Sequence, residues 1–551
     1  MNNYVIRRLL AVLASVTMVF ALLVSGPMSS PVAAAKPPTK TPTPVGPTPT
    51  VTASPTAPSG IPGGFRTSGN RILAPDGSEF IIAGVNWFGF ETRDAVAHGL
   101  WSKDYKFLID RIKAFGFNTI RIPYSDEMWR TNPIPRAGAC PECDGKHSRD
   151  ILALIVNYAG SVGLHVILDN HRSNKGNSAQ ENGLWYTSGF PESVWIENWV
   201  SVLRWSHGIP QTFGSTDTIP VNYYASDGYP IIIGLDLRNE PHTPSRSAYL
   251  DGSTWGTGDG IDPHVNPNPN PFTPACVATS TCHDWRLAAE RAGTTIFGEA
   301  TANGWDLPLI FVEGIGMYPA DGGNPVNGPY DGTWWGGTLQ GVNGNSTNPG
   351  APVLLNRGGN ASALGPAVND KVVYSAHDYG PALFAQSWFN TSTCYKSGCS
   401  SSSLADVWLK FWAHLNLAGG VNPQFDGKPY PWGNTGHSAV TTAPIWLGEF
   451  GTANAAADLY STTPGSQGQW FTDLENFVQS SYNRTATNDP GFALTSIHWT
   501  YWAINANDSA HAILGSDWAS LANPNKIFTH LCSIERAPVG VTCTGTLPAP
   551  H

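Results

Sequence analysis

The chain is 551 residues long, carries a formal net charge of −10, and holds 21 Trp, 18 Tyr and 22 Phe. The length admits two to four average domains or one large barrel with long insertions. The acidic balance argues against nucleic acid as a partner, since that needs a basic face. The aromatic surplus suits stacking on the apolar faces of sugar rings in a neutral polymer, although core packing must account for most of it.

In chain order, Arg7 and Arg8 form a short basic region, residues 9–24 are almost wholly apolar, and Ala33, Ala34 and Ala35 offer a small-residue cleavage site. Residues 1–35 therefore read as an export signal. The apolar run falls short of the roughly 20 residues that span a bilayer, so cleavage and an extracellular location are expected, with no membrane attachment afterwards. Residues 36–60 hold Pro, Thr, Ser, Ala and Val with no aromatic residue. Such a stretch buries too little surface to fold and reads as a linker, with no separate carbohydrate-binding module expected before it. The rest, with 27 basic against 41 acidic residues, reads as one catalytic domain over residues 61–551.

Within that domain one arrangement repeats: a short apolar run, a polar or aromatic residue at its end, then a loop and usually a helix. Strands are expected at residues 80–85, 118–122, 164–169, 231–237, 309–312, 372–375, 445–447 and 494–499. Helices are expected at 105–115, 148–162, 193–205, 285–303 and 467–481, with Ile151, Leu154, Ile155 and Tyr158 on one apolar face of the second. Eight strands alternating with helices make an α/β fold, a (β/α)₈ TIM barrel, with long loop insertions near residues 246–282, 321–365 and 391–442. The rival is a doubly wound sheet, but no glycine-rich dinucleotide fingerprint follows the first strand.

Eight cysteines fall into four close pairs, Cys140/Cys143, Cys276/Cys282, Cys394/Cys399 and Cys532/Cys543. In an exported chain these read as disulfides that clip loops. Cys140 and Cys143 with His147 resemble half of a zinc site, but no second half follows.

In such a barrel the active site lies at the C-terminal ends of the strands. Those ends carry Asn86, Trp87, Arg121, His171, Asn239, Glu240, Glu313, His377, Tyr379, Glu449 and Trp502. A carboxylate at the tip of a buried strand is costly unless partners or chemistry justify it. Glu240 and Glu449, far apart in sequence, suit acid/base plus nucleophile cleavage of a glycosidic bond, a chemistry that needs no metal and no cofactor. Glu313 and Asp169 read as bracing groups, Glu313 otherwise as an outer substrate contact.

The ordered segments Gly84-Val85-Asn86-Trp87-Phe88, Thr119-Ile120-Arg121, Asp169-Asn170-His171, Asn239-Glu240-Pro241-His242, His377-Asp378-Tyr379 and Gly448-Glu449-Phe450 resemble glycoside hydrolase family 5, and within it secreted bacterial endo-β-1,4-glucanases. The resemblance runs from about residue 65 to 518 and includes Leu184-Trp185-Tyr186 and Trp334-Trp335-Gly336. It implies that Glu240 is the acid/base and Glu449 the nucleophile of a retaining mechanism. It further implies that Arg121 and Tyr379 hold the nucleophile, Asn239 meets the sugar 2-hydroxyl, and His171 and His377 line the site. Trp502 would form the platform at the cleaved bond, with Trp87, Trp185, Trp334 and Trp335 as platforms for flanking sugars. The substrate implied is a β-glucan acted on by a monomer, with β-mannan or xyloglucan as rivals on the same scaffold. A noncatalytic glycan binder has no use for two desolvated carboxylates.

Overall fold

Strand residues of a closed parallel barrel face either the interior or the surrounding helices, so both faces must be apolar. The sequence meets that demand with eight strands. These are β1 (Ala83–Asn86), β2 (Thr119–Ser125), β3 (His165–Arg172), β4 (Ile232–Asp236), β5 (Leu309–Glu313), β6 (Val372–His377), β7 (Ile445–Glu449) and β8 (His498–Tyr501). In the computed structural model they pair in parallel in chain order, and β8 closes against β1. The expected (β/α)₈ barrel is therefore the observed fold. The residues described are 64–242 apart from 179 and 181, 252–255, 283–316, 334–343, 352–355, 370–417 apart from 384 and 391–403, 424–425, 428–429, 442–482 and 496–534. All of them fall within the unit Ser54–His551. The proposed signal, the linker, most of the three insertions, the pairs Cys276/Cys282 and Cys394/Cys399, and Cys543 lie outside them.

Period-two alternation produces two cores. Ile120, Ile122, Val166, Leu168, Ile310, Val312, Ile445 and Leu447 point outward into the layer shared with the helices. Ile167, Ile233, Leu309, Phe311, Val373 and Trp446 fill the barrel, together with Phe65 and Ile72 from a short antiparallel hairpin (Arg66–Ser68 with Arg71–Leu73). Moving two residues up the inward column changes its chemistry: Ile167 is followed by Asp169, Phe311 by Glu313, and Val373 by Ser375 and then His377. The interior is thus apolar at one end and ionisable at the other.

Six helices are named here: α1 (Tyr105–Ala114), α2 (Ser148–Ser161), α3 (Glu192–Ser206), α4 (Trp285–Asn303), α5 (Leu404–Phe411) and α6 (Gln467–Tyr482). Asp104 caps α1 by accepting from the Lys106 amide, and Asp284 caps α4 by accepting from the Leu287 amide. Gly304 ends α4 in the left-handed conformation that a residue without a Cβ adopts readily. Helix α5 falls in a segment read from sequence as insertion. On α2, Leu152, Val156 and Ala159 are fully buried, whereas Leu154 and Tyr158 are only partly so. A helix in the outer ring packs on the barrel and on its flanking helices, so its buried arc is wider than one stripe. Cys140 and Cys143 are joined as a disulfide, as expected.

Candidate active site

Arg121 organises the upper interior. It is fully buried over the Trp446 ring, 5.6 Å from the ring centroid. Its Nη2 lies 3.0 Å from Asp169, 2.9 Å from Asp236 and 3.1 Å from Glu313, and its Nη1 lies 2.7 Å from Glu449. Nη1 also donates to Asn86 Oδ1 at 3.0 Å, and Nη2 to Asn239 Oδ1 at 2.9 Å. Burial alone would weaken the guanidinium's hold on its proton, but the charges of Asp169, Asp236, Glu449 and Glu313 more than reverse this. Burial raises Asp169 to about 6 against the pull of Arg121. Burial and the nearby Glu313 charge raise Asp236 well above the usual carboxylate range.

A bulge aims Glu449. In the β6–β7 pairing Ala376 lies opposite Leu447 but His377 opposite Glu449, so β7 carries one extra residue, Gly448. Trp446 faces the interior, and strict alternation would send residue 449 outward; the extra residue turns it back. Both Glu449 oxygens then accept, from Arg121 Nη1 and from the Tyr379 hydroxyl at 2.9 Å. Burial and the charges of Glu449 and Glu240 raise Tyr379 well above its ordinary value, so it remains a neutral donor.

Glu240 follows β4 with a backbone φ of 50°, a left-handed conformation uncommon for a residue with a side chain. Its amide donates to Glu313 Oε2 at 2.7 Å, and its carbonyl accepts from His242 Nδ1 at 2.7 Å. His377 Nδ1 sits 3.0 Å from Glu240 Oε1, and its Nε2 sits 3.2 Å from Glu313 Oε1. Burial would drive the His377 ring neutral. The charges of Glu313 and Glu449 and its hydrogen bonds to Glu240 and Glu313 outweigh that and hold it well above its ordinary value. One carboxylate oxygen each from Glu240 and Glu449 and a His377 ring nitrogen all lie within 4.8 Å of one another. A second such group, Asp169, Asp236 and Glu313, surrounds the Arg121 guanidinium.

His171 Nδ1 lies 2.7 Å from Asp169, and burial lowers the ring to about 3, so it is neutral. Trp502 stacks between His171 (centroids 5.6 Å apart) and Phe88 (5.4 Å) and is partly exposed. Trp335 stacks on His242 at 3.7 Å and is also partly exposed. Three of the expected platforms differ. Trp87 is buried with its indole N–H donating to the His98 carbonyl. Trp185 is buried against Trp285 with its N–H on Glu192. Trp334 is buried beside Trp388 and Phe389. These rings build the wall and offer no open face for a sugar. Glu313 is also fully buried, which rules out an outer substrate contact. Among the groups not read from sequence, Asp236, Phe88 and His242 touch site residues directly.

Glu91 is buried and accepts from the Gly89 amide at 2.7 Å. Burial raises its acid from 4.5 to about 8. A carboxyl raised on folding contributes stability that is full below its unfolded value near 4.5 and lost as the pH climbs through about 8. Glu91→Gln, which mimics the neutral acid, is therefore expected to flatten the alkaline fall of the thermal midpoint between pH 5 and pH 8. Parallel wild-type and variant curves in differential scanning calorimetry would refute this.

A (β/α)₈ barrel with a facing carboxylate pair and partly exposed indoles at its C-terminal mouth is the architecture of a glycoside hydrolase. The sequence model of Cellulase (glycosyl hydrolase family 5) matches residues 74–508, and the chain belongs to that family. It is 29% identical over 470 residues to an endoglucanase of Paenibacillus polymyxa, covering 85% of this chain and 86% of that one. It is 28% identical to the major extracellular endoglucanase of Xanthomonas campestris, covering 82% and 67%. Among solved structures it is similar to an endocellulase of Pyrococcus horikoshii in complex with cellotetraose, with 26% identity, a TM-score of 0.56, and coverage of 88% of this chain and 99% of that one.

Proposed function

We propose that this glycoside hydrolase is a secreted, retaining endo-β-1,4-glucanase that cuts internal bonds of cellulose or related β-glucans. The observation that carries the reading is the unequal setting of two neighbouring carboxylates. Glu449 receives the Arg121 guanidinium and the Tyr379 hydroxyl, donors that hold its charge for attack on the anomeric carbon. Glu240 faces the protonated His377, and that pair holds the proton the leaving oxygen needs. The nearest oxygens of the two carboxylates lie within 4.8 Å, which suits the retaining separation of about 5–5.5 Å better than the inverting one of about 6.5–9.5 Å.

In the first step a Glu449 oxygen bonds to the anomeric carbon as the glycosidic C–O bond breaks, and the departing oxygen takes its proton from Glu240. In the second, Glu240 removes a proton from water, which attacks the same carbon and frees Glu449. Asn239 gives its carbonyl oxygen to Arg121, which leaves the amide nitrogen for the sugar 2-hydroxyl. Trp502, fixed by Phe88 and His171, supports the sugar at the cleaved bond, and Trp335 a flanking one. The names of the relatives, endoglucanase and endocellulase, support endo action on a β-glucan. Residues 1–35 serve as export signal, 36–60 as spacer and 61–551 as the catalytic domain. The basic and apolar pattern of the signal supports secretion, and no described helix is long and apolar enough to cross a membrane.

Two measurements test this. Reducing ends released from carboxymethyl cellulose are expected to exceed those from glucomannan and xyloglucan under identical conditions; hydrolysis of mannan with cellulose untouched sinks the substrate assignment. Proton NMR of the first product from cellotetraose is expected to show the β-anomer before mutarotation, and the α-anomer sinks retention.

A further inference from the structure

The acid/base carboxyl sits on a backbone conformation that its own sequence disfavours. Glu240 precedes Pro241, a position pushed toward extended conformations, yet its φ is 50°. Left-handed geometry at a residue with a side chain is strained and persists only where surroundings impose it. On the amide side those surroundings are one residue. Glu313, at the end of β5 and fully buried, accepts the Glu240 N–H at 2.7 Å with Oε2. Its Oε1 is held by Arg121 Nη2 at 3.1 Å and faces His377 Nε2 at 3.2 Å. The Glu313 carbonyl in turn accepts from the Trp285 indole of α4 at 2.8 Å, which anchors the strand end to the outer ring.

The chain passes over this junction at closest range. A Cβ on Gly336, whose φ is +72°, would stand 2.9 Å from Glu313 Oε2 and 3.6 Å from both the Glu240 Cα and the His377 ring. Only a glycine lets the segment that carries Trp335 close down on the acid/base. Glu313 cannot reach a substrate from this depth, so any part it plays passes through Glu240.

We propose that Glu313 is a positioning residue for the acid/base: it clamps the Glu240 amide and ties it to Arg121 and His377, which aims the Glu240 carboxyl at the leaving oxygen. This rests on the reading of Glu240 as acid/base and goes beyond it. Neutralising Arg121 alone would require one Glu313 oxygen; the structure uses both. Gln at this position has a single acceptor oxygen. It must turn its amide nitrogen either toward the Glu240 N–H or toward the donors Arg121 and His377, so it loosens the clamp as Ala does, by a smaller amount.

The test is kcat/KM for wild type, Glu313→Ala, Glu313→Gln and Glu240→Gln across aryl β-cellobiosides of graded leaving-group acidity. A misaimed acid matters only where the leaving group needs a proton. Glu313→Ala is expected to lose about 10²- to 10³-fold on phenyl cellobioside but to stay near wild type on dinitrophenyl cellobioside, with Glu313→Gln between them. Far-UV circular dichroism and the thermal midpoint are the folding control, and Glu313→Gln carries the test if the Ala variant does not fold. A uniform loss across the series, or none, overturns the proposal, because a charge partner of Arg121 and Glu449 would affect every substrate alike. If Glu240→Gln itself shows no leaving-group dependence, the assignment of Glu240 has failed instead.

Discussion

Glu449→Gln is expected to lower turnover on carboxymethyl cellulose by about 10⁴- to 10⁶-fold and to keep cellotetraose binding. The amide is nearly isosteric with the carboxylate and is held by the same neighbours, but it is no nucleophile at carbon. The substitution also places an amide nitrogen against either the Arg121 guanidinium or the Tyr379 hydroxyl, both of which donate to Glu449 in the native site. Some loss of thermal stability therefore accompanies the loss of rate. Azide separates the two carboxylates. With Glu449→Ala and dinitrophenyl cellobioside, azide attacks from the vacated face and gives the α-glycosyl azide. With Glu240→Ala the glycosyl-enzyme still forms, and azide displaces Glu449 to give the β-glycosyl azide. Exchanged anomers would reverse the two assignments, and unchanged hydrolysis in Glu449→Gln would remove the nucleophile from Glu449 altogether.

The strand ends were the legible part of this chain. His171, His377 and Glu449 lie at or next to the C-terminal ends of their strands, Arg121 lies mid-strand in β2 but level with Asn86 at the end of β1, and a closed parallel barrel brings such positions to one mouth whatever their separation in sequence. Glu313 was harder to place, although the inward parity of Phe311 already implied an inward residue at 313. Asp236 was hidden for a different reason. In the β3–β4 pairing Val166 lies opposite Ile232 and Ile167 opposite Gly234, so β4 carries an extra residue that shifts its alternation. The extra Gly448 does the same on β7, where the cost of burying a carboxylate, not parity, marks the glutamate. A bulge leaves no firm trace in periodicity, because one added residue exchanges the inner and outer sets without altering composition.

The burial of Trp87, Trp185 and Trp334 is illegible in the sequence for a more general reason. A tryptophan count reports how much ring surface the chain carries, not which rings remain uncovered. Trp87, Trp185 and Trp334 sit in the same loops as a platform would, but each is roofed by neighbours, and Trp87 and Trp185 also spend their N–H inside the protein. Trp502 and Trp335 differ because a flat ring, His171 or His242, lies parallel beneath them. That stacking fixes each ring and still leaves it partly exposed, and no spacing rule in the sequence encodes it.

Arg121→Met is expected to destabilise the fold by about 3–5 kcal/mol and to abolish measurable hydrolysis. One guanidinium meets Asp169, Asp236, Glu313 and Glu449, with His377 as the other cation facing Glu313 and Glu449. Methionine fills much of the space over Trp446 but leaves those carboxylates without their counter-charge. Arg121→Lys restores a charge but has three N–H donors, whereas the arginine donates to Asp236, Asn86, Glu449, Asn239 and Glu313 together. It is expected to recover part of the stability and little of the rate. Burial already raises Asp169 to about 6, and burial with the Glu313 charge raises Asp236 well above the usual carboxylate range, against the pull of Arg121. Without that pull both rise again, and a carboxyl raised on folding stabilises the folded state at low pH and ceases to do so as the pH passes its folded value. The penalty of Arg121→Met should thus be largest near pH 8 and shrink toward pH 5, where Asp169 is protonated in wild type and variant alike. Urea-denaturation midpoints of both proteins at the two pH values measure it. A penalty independent of pH would show that Arg121 contributes packing and hydrogen bonds but not the counter-charge to the buried carboxylates.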